Sequence, residues 1–288
     1  MLELVKNIRQ LEQADTLLEE VVIVNNASTA DYSAVKEYVA AAGNFPFRYY
    51  DAPGNLGVSK GRNYALAKST APIAIMIDDD AVMQNKDCLV KLLAVFEQNP
   101  SDKPIAIVSY KVLYYDTLAM QVNAFPHKQF DKYHQKSFFE TYYFAGGAHA
   151  VRREVMESLG SYPEDFFYGM EEYDMAYRIL DAGNAIVYSD AAVMLHKESP
   201  LGRKPKKEKL LEMWYNKSKV AWRYLPRRYF YSTAIMWSFN FLKETKFNLP
   251  LFFKGWKKIA AIPRQEKRTP VAPQTLRYMK QLEARLWY

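Results

Sequence analysis

Ile73-Ala74-Ile75-Met76-Ile77-Asp78-Asp79-Asp80 is the stretch that decides how the rest of the chain is read. Five apolar residues without polar alternation are the pattern of a strand covered on both faces. The three aspartates that end it crowd like charges together, which is costly unless a cation or hydrogen-bond donors compensate. Carboxylates on alternate residues, Asp78 and Asp80, suit Mg2+ or Mn2+, and such an ion can bridge a diphosphate. An acidic turn solvated at a strand end would use the same residues, so the neighbouring segments have to decide.

Upstream the same unit repeats. Val21-Val22-Ile23-Val24 is wholly apolar and stops at Asn25-Asn26. A helix is predicted over 31–42, a strand over 47–51 and a helix over 57–69, which leads into the aspartate strand. Such alternation predicts an α/β fold, a mostly parallel sheet flanked by helices that gathers ligands at the carboxyl ends of its strands. Asn25 and Asp78 to Asp80 fall at such ends. Ahead of them Leu2, Val5, Ile8, Leu11 and Leu18 predict one amphipathic helix over 2–18.

Downstream, a helix is predicted over 86–98 and a strand over 105–109. The aromatic stretch 110–143 reads as an excursion of short strands and loops. Gly146-Gly147 precedes a helix over 152–159, a further helix covers 171–182, and 185–188 reads as a strand. From about residue 208 the pattern is helical, broken at Pro226, Pro250 and Pro263. The apolar run Tyr229 to Leu242 is too short to cross a bilayer, which takes about 20 residues. The expected division is a catalytic domain over 1–205 and a basic, aromatic-rich helical extension over 206–288.

Three further segments carry chemistry. Asn55-Leu56-Gly57 through Lys60-Gly61-Arg62-Asn63 places glycines and cations ahead of a helix, where backbone donors and Arg62 can hold phosphate oxygens. Glu171-Glu172-Tyr173-Asp174 puts carboxylates at a helix start, where the dipole favours their ionised form. That suits a general base as well as a cap. His196 ends the apolar segment Ala191 to Leu195, and its imidazole could complete a metal site begun by the aspartates.

In this order the segments resemble family 2 glycosyltransferases, inverting enzymes of the GT-A fold that include many polysaccharide and O-antigen transferases. The resemblance runs from about residue 20 to 200. It implies that Asp78 and Asp80 are the DxD pair, Asp78 and Asp79 lying near the donor and Asp80 on the metal, with His196 as a further ligand. It implies donor binding by Asn55 and Arg62, an acceptor side lined by Gly146 and Gly147 with Arg152, Arg153 and Glu154 following, and an ED motif at Glu171-Glu172. Its second carboxylate would be the base, with Asp174 in reserve. Asn25 stands where the family usually has an aspartate that reads the nucleobase, and Glu172 where it has a shorter aspartate. The family's first strand has no counterpart ahead of residue 1, so exposed sheet edges and a gap in the nucleotide floor are expected.

The implied reaction is a single in-line displacement that moves a sugar from a nucleotide-sugar donor to a glycan or lipid-linked acceptor. The formal charge of +7 concentrates beyond residue 201, at Arg203, Lys204, Lys206, Lys207, Lys209, Arg227, Arg228, Lys254, Lys257 and Lys258. Interleaved with Trp and Tyr, these cations suit an anionic membrane surface. A helical cap on the sheet is the alternative. No nucleic-acid module appears, and an aspartate cluster repels phosphate without a metal, so nucleic acid is not an expected partner. One cysteine, Cys88, excludes an internal disulfide, and the N-terminus has no basic, apolar leader pattern. Both point to the cytoplasm, with peripheral attachment to the inner face of the membrane.

Overall fold

The computed structural model describes residues 1–198 and 206–287. Two short helices, α1 (Leu2–Arg9) and α2 (Ala14–Leu17), open the chain. The single helix expected over 2–18 is interrupted because Gln13 takes a left-handed backbone, φ 57°. Next come β1 (Val21–Asn25), α3 (Ser33–Ala40), β2 (Phe47–Asp51), α4 (Gly57–Leu66) and β3 (Ile73–Ile77), in the alternation the apolar runs predict. A short return strand, β4 (Ala81–Met83), follows the aspartates, then α5 (Cys88–Gln98) and β5 (Ile105–Tyr114). The aromatic excursion holds a single 3-10 turn (Val122–Ala124), α6 (Phe130–Tyr133) and β6 (Phe138–Thr141). The chain then forms β7 (Ala148–Arg152), α7 (Arg153–Leu159), α8 (Glu171–Asp181) and β8 (Ala185–His196).

The central sheet is flanked by helices, as expected, but it is mixed rather than mostly parallel. Its strands run in the order β3-β7-β5-β8-β4, with β6 also on β8. β5 and β8 pair in parallel, while β7 lies antiparallel between β3 and β5. β5 and β8 are longer than their apolar runs because they pair with each other as far as Tyr114 and His196, through a register shift after Tyr110.

β1 and β2 form a separate parallel pair. Neither has a ladder to β3, so β1 and β3 each keep an open edge. The residues of β3 are accordingly only half-buried, whereas Ile105, Ile107 and Val108 of β5 are fully buried. β1 and β3 line one cavity of about 1530 Å³ that continues into the cleft at their carboxyl ends. The two sheets are tied at both ends of this slot. Glu20 accepts from the backbone of Thr70 and Ala71 below it, and Tyr32 donates to Asp79 above it at 3.3 Å. α1 covers the smaller pair through a cluster of Val5, Ile23 and Val35, and Asn7 exchanges two hydrogen bonds with the backbone of Met83 in β4.

The C-terminal part is four helices, α9 (Lys206–Tyr224), α10 (Arg227–Glu244), α11 (Leu249–Gln265) and α12 (Pro273–Gln281). The expected boundary at 205, with Arg203 and Lys204, lies outside the described residues. Pro226 caps α10 as a breaker should, but Pro250 starts α11 and Pro263 sits inside its last turn. Proline is tolerated in the first turn, where its missing N–H has no helical partner anyway. The same core that holds Ile107, Val151 and Tyr173 also holds Trp214, Phe241, Ile259 and Met279, so these helices pack on the sheet's face.

Candidate active site

The hairpin from β3 to β4 and the end of β8 build the first half of the site. Ala81 pairs with His196, and Lys197 donates its backbone N–H to the Asp80 carbonyl at 2.9 Å. That register sets Asp80 Oδ1 3.1 Å from His196 Nε2, although the residues are 116 positions apart. Asp78, Asp80 and His196 offer ligand atoms within 4.8 Å of one another. Two carboxylates and an imidazole are a donor set that fits a divalent ion. Gln121 Oε1 lies 2.9 Å from His196 Nδ1. With the proton on Nδ1 the Nε2 lone pair is left for a metal, the arrangement in which an outer partner orients a ligating histidine. The hydrogen bond to Asp80 raises the His196 pKa against burial, and burial raises that of Asp78 against Arg62 and His196.

α8 supplies the second half. Gly169 and Met170 both take left-handed backbones, φ 78° and 72°, and turn the chain so that Glu171 and Glu172 begin the helix inside the cleft. Arg62 of α4 reaches across, its Nη1 3.0 Å from Glu171 Oε1 and 3.7 Å from Glu172 Oε1. Burial pushes the Glu172 carboxyl up, Glu171 adds to the shift, and Arg62 opposes it. Burial works against the Arg62 charge, but Glu171, Tyr162 and Glu172 outweigh it, and the guanidinium lies 5.5 Å from the Tyr162 ring centroid.

Gly146 and Gly147 divide the two halves. β3 and β7 pair Ile77 with Ala148, so the residues just beyond, Asp78 and Gly147, face each other. A Cβ on Gly147 would lie 2.0 Å from Asp78 Oδ2, and one on Gly146 would lie 2.0 Å from Glu172 Oε1. Both positions are glycine because carboxylates press against the backbone from either side.

The remaining predicted residues spread out. Asp79 is exposed at the cleft and receives the Tyr32 hydroxyl. Asn25 bonds Asp51 and the Ser28 amide, and Asn55 accepts from the Gly57 amide at 3.0 Å; neither lines the cavity. Asn26 does, and it bonds the backbone of Leu56 and Gly57. Asp174 leaves the cleft. It is buried, bonded to Arg178, Arg223 and Tyr224, and does not line the cavity. Arg152 and Arg153 also correct the expectation of an acceptor-side role. Their guanidinium groups bind backbone carbonyls of Ile105, Phe96 and Ala71 at the far end of β7. His149 was not anticipated. It is fully buried beside Tyr162, and burial lowers its pKa to about 3, which keeps it neutral behind Arg62.

The sequence model of glycosyl transferase family 2 matches residues 1–160, more than half of the chain. Among curated proteins, the O-antigen chain rhamnosyltransferase WbaN of Salmonella anatum is 28% identical over 154 residues, 50% of this chain and 47% of that protein. An uncharacterized protein of Haemophilus influenzae is 27% identical over 117 residues, 41% of this chain and 62% of the other. The chain thus spans less than two thirds of either relative. Among solved structures, Staphylococcus aureus TarS 1-349 in complex with UDP-GlcNAc superposes with a TM-score of 0.63 at 15% identity, covering 99% of this chain and 84% of that one. The mannosyltransferase PcManGT from Pyrobaculum calidifontis, in complex with GDP-Man and Mn2+, gives 0.56 at 17% identity, covering 98% and 79%. These likenesses are of fold, which is the GT-A architecture.

Proposed function

Because the chain belongs to glycosyl transferase family 2, we propose that it moves a sugar from a nucleotide-sugar donor to a hydroxyl of a glycan or lipid-linked acceptor by inverting displacement. The observation that carries this reading is the pairing of a ligand cluster, Asp78, Asp80 and His196, with a half-buried carboxylate, Glu172, on opposite sides of Gly146-Gly147. One half suits a diphosphate leaving group and the other an incoming hydroxyl.

Glu172 is the base in this reading. Its raised pKa makes its carboxylate a stronger proton acceptor than an exposed glutamate, and the α8 N-terminus favours the ionised form. Arg62 fixes the two glutamates and limits the repulsion between them. Asp78, Asp80 and His196 would hold Mn2+ or Mg2+, which when bound offsets the charge of the departing diphosphate. Asn26 and Tyr32 line the donor end, while Asn25 and Asn55 act by holding the loops there.

Exposed side chains on α10 and α11 support an anionic membrane surface as the place of work. Tyr231, Ile235 and Phe239 are spaced four apart on α10, and Phe247, Leu249 and Phe253 continue the apolar surface, with Lys243, Lys246, Lys254 and Lys257 exposed among them. No helix among the described residues is long and apolar enough to cross a membrane.

The test is a screen of nucleotide sugars with Mn2+, followed by Glu172→Gln in the active combination. Transfer should fall by about a hundredfold or more, the scale of a lost general base, with donor affinity unchanged. Near-normal transfer by Glu172→Gln would remove the base assignment. A binding relative without turnover is the second reading, favoured by the slot between β1 and β3 in the donor floor. Donor binding without turnover of any nucleotide sugar would select it.

A further inference from the structure

α9 carries two buried lysines two positions apart, and only one is paired. Lys219 contacts Asp165 and lies 3.0 Å from Glu266. Lys217 is 7% exposed, and no hydrogen bond or ion pair engages its ammonium among the described residues. Its Nζ stands 3.2 Å above the Tyr173 ring and opens into the cavity. Tyr173 stacks on Tyr143, which carries Lys128 5.1 Å from its own centroid. Lys128 and Arg285, both exposed at the cavity mouth, line it too. An ammonium removed from water without a carboxylate is expensive, and two like charges nearby increase the cost.

We propose that Lys128, Lys217 and Arg285 form a phosphate-binding subsite on the acceptor side of Glu172, so that the accepting sugar carries a phosphate or diphosphate group. The proposal rests on Glu172 being the base. Position separates the three cations from the metal cluster. Lys217 lies over Tyr173 of α8, next to Glu172 on the Gly146 side, whereas Asp78, Asp80 and His196 gather at the β3–β4 turn and the end of β8 on the Gly147 side. Burial, Lys128 and Arg285 lower the Lys217 pKa, so a dianionic phosphate would favour its ammonium form, and lysine and arginine donors match phosphate oxygens. A lipid diphosphate and a soluble sugar phosphate share that chemistry.

The test is titration of the full chain with inorganic phosphate in EDTA, which takes the metal cluster out of the comparison. Lys128→Ala and Arg285→Ala, both surface changes, should each weaken phosphate by about tenfold, the weight of one charge-assisted hydrogen bond. Lys217→Met should weaken it further, and Lys254→Ala should leave it unchanged. Transfer is then compared on a polyprenyl diphosphate sugar in vesicles, a soluble sugar 1-phosphate and the unphosphorylated sugar. Preference for either phosphorylated acceptor, with the acceptor KM raised in Lys128→Ala and Arg285→Ala, supports the subsite and identifies the source. Phosphate affinity unmoved by all three substitutions, or equal use of the unphosphorylated sugar, overturns it. Absence of donor turnover in the unmodified chain instead strikes the glycosyltransferase reading, and the phosphate titration still decides the subsite.

Discussion

Glu172 and Asp174, two positions apart on one helix, show what a single residue's surroundings do to its chemistry. Asp174 is spent on Arg178, Arg223 and Tyr224, while Glu172 meets Arg62 and the cavity. The sequence left both open as bases because spacing along a helix does not say which flank another element covers. Burial and Glu171 raise the Glu172 carboxyl above its ordinary value of 4.5. A base must be ionised to act, so kcat/KM should fall with pH through that raised pKa, well before an ordinary carboxylate protonates. An acid limb at the ordinary value would count against Glu172. The two glycines give a sharper contrast. Gly147→Ala drives a methyl into Asp78 and should weaken Mn2+ by about ten- to a hundredfold in a titration. Gly146→Ala strikes Glu172 and should suppress transfer with Mn2+ affinity kept. Equal loss of Mn2+ affinity in both would deny the division. That Asp78, Asp80 and Glu172 reach the cleft was legible because they follow an apolar run or begin a helix, whereas Arg62 lies inside α4 and meets the two glutamates, which the segment around it did not suggest. Gln121, Tyr162 and Lys217 were not legible, since only tertiary packing gives them their neighbours.

Among the elements, β3 announced itself and β7 did not. Ile73 to Ile77 is a pure apolar run, but Ala148-His149-Ala150-Val151-Arg152 follows two glycines and mixes small with polar residues. Its strand character comes from partners on both sides, and tertiary context overrides such weak local preference. β4 is shorter still, yet it brings Asp80 to His196. The connection between sheets was equally hidden. Glu20 takes the amides of Thr70 and Ala71 and lies 3.2 Å from Arg48, an arrangement no spacing rule suggests. Glu20→Ala should cost about 1 kcal/mol in urea unfolding, the net worth of hydrogen bonds to amides that stay partly exposed. Burial acts against the charged Glu20, but the two amides and Arg48 outweigh it and the pKa is lowered. The contribution is therefore present above the unfolded value and lost as pH falls through the folded one. The difference between unmodified chain and Glu20→Ala should shrink in that acid range, and a pH-independent difference would refute the assignment.

At the scale of the molecule, the α/β class and the helical C-terminal region were legible from periodicity, because buried strands and amphipathic helices need different patterns. That the last four helices share the core of the sheet was not, since apolar periodicity does not name the surface a helix covers. Their outward face remains apolar and basic. Phe239→Glu combined with Phe253→Glu, at residues 62% and 65% exposed, should reduce sedimentation with anionic vesicles by more than about tenfold and leave the thermal midpoint in place. Undiminished sedimentation would exclude this face. The divided sheet has a different consequence. Residues 21–51 pack mainly in the small cluster around Val5, Ile23 and Val35, and their strand pairing stays within β1 and β2. Local stability follows such contacts, so this unit belongs among the first to open while the six-stranded body stays closed. A nucleotide seated against Asn26 and Tyr32 would then gain its hold by quieting a fluctuation, and part of the donor's affinity would be spent on that ordering.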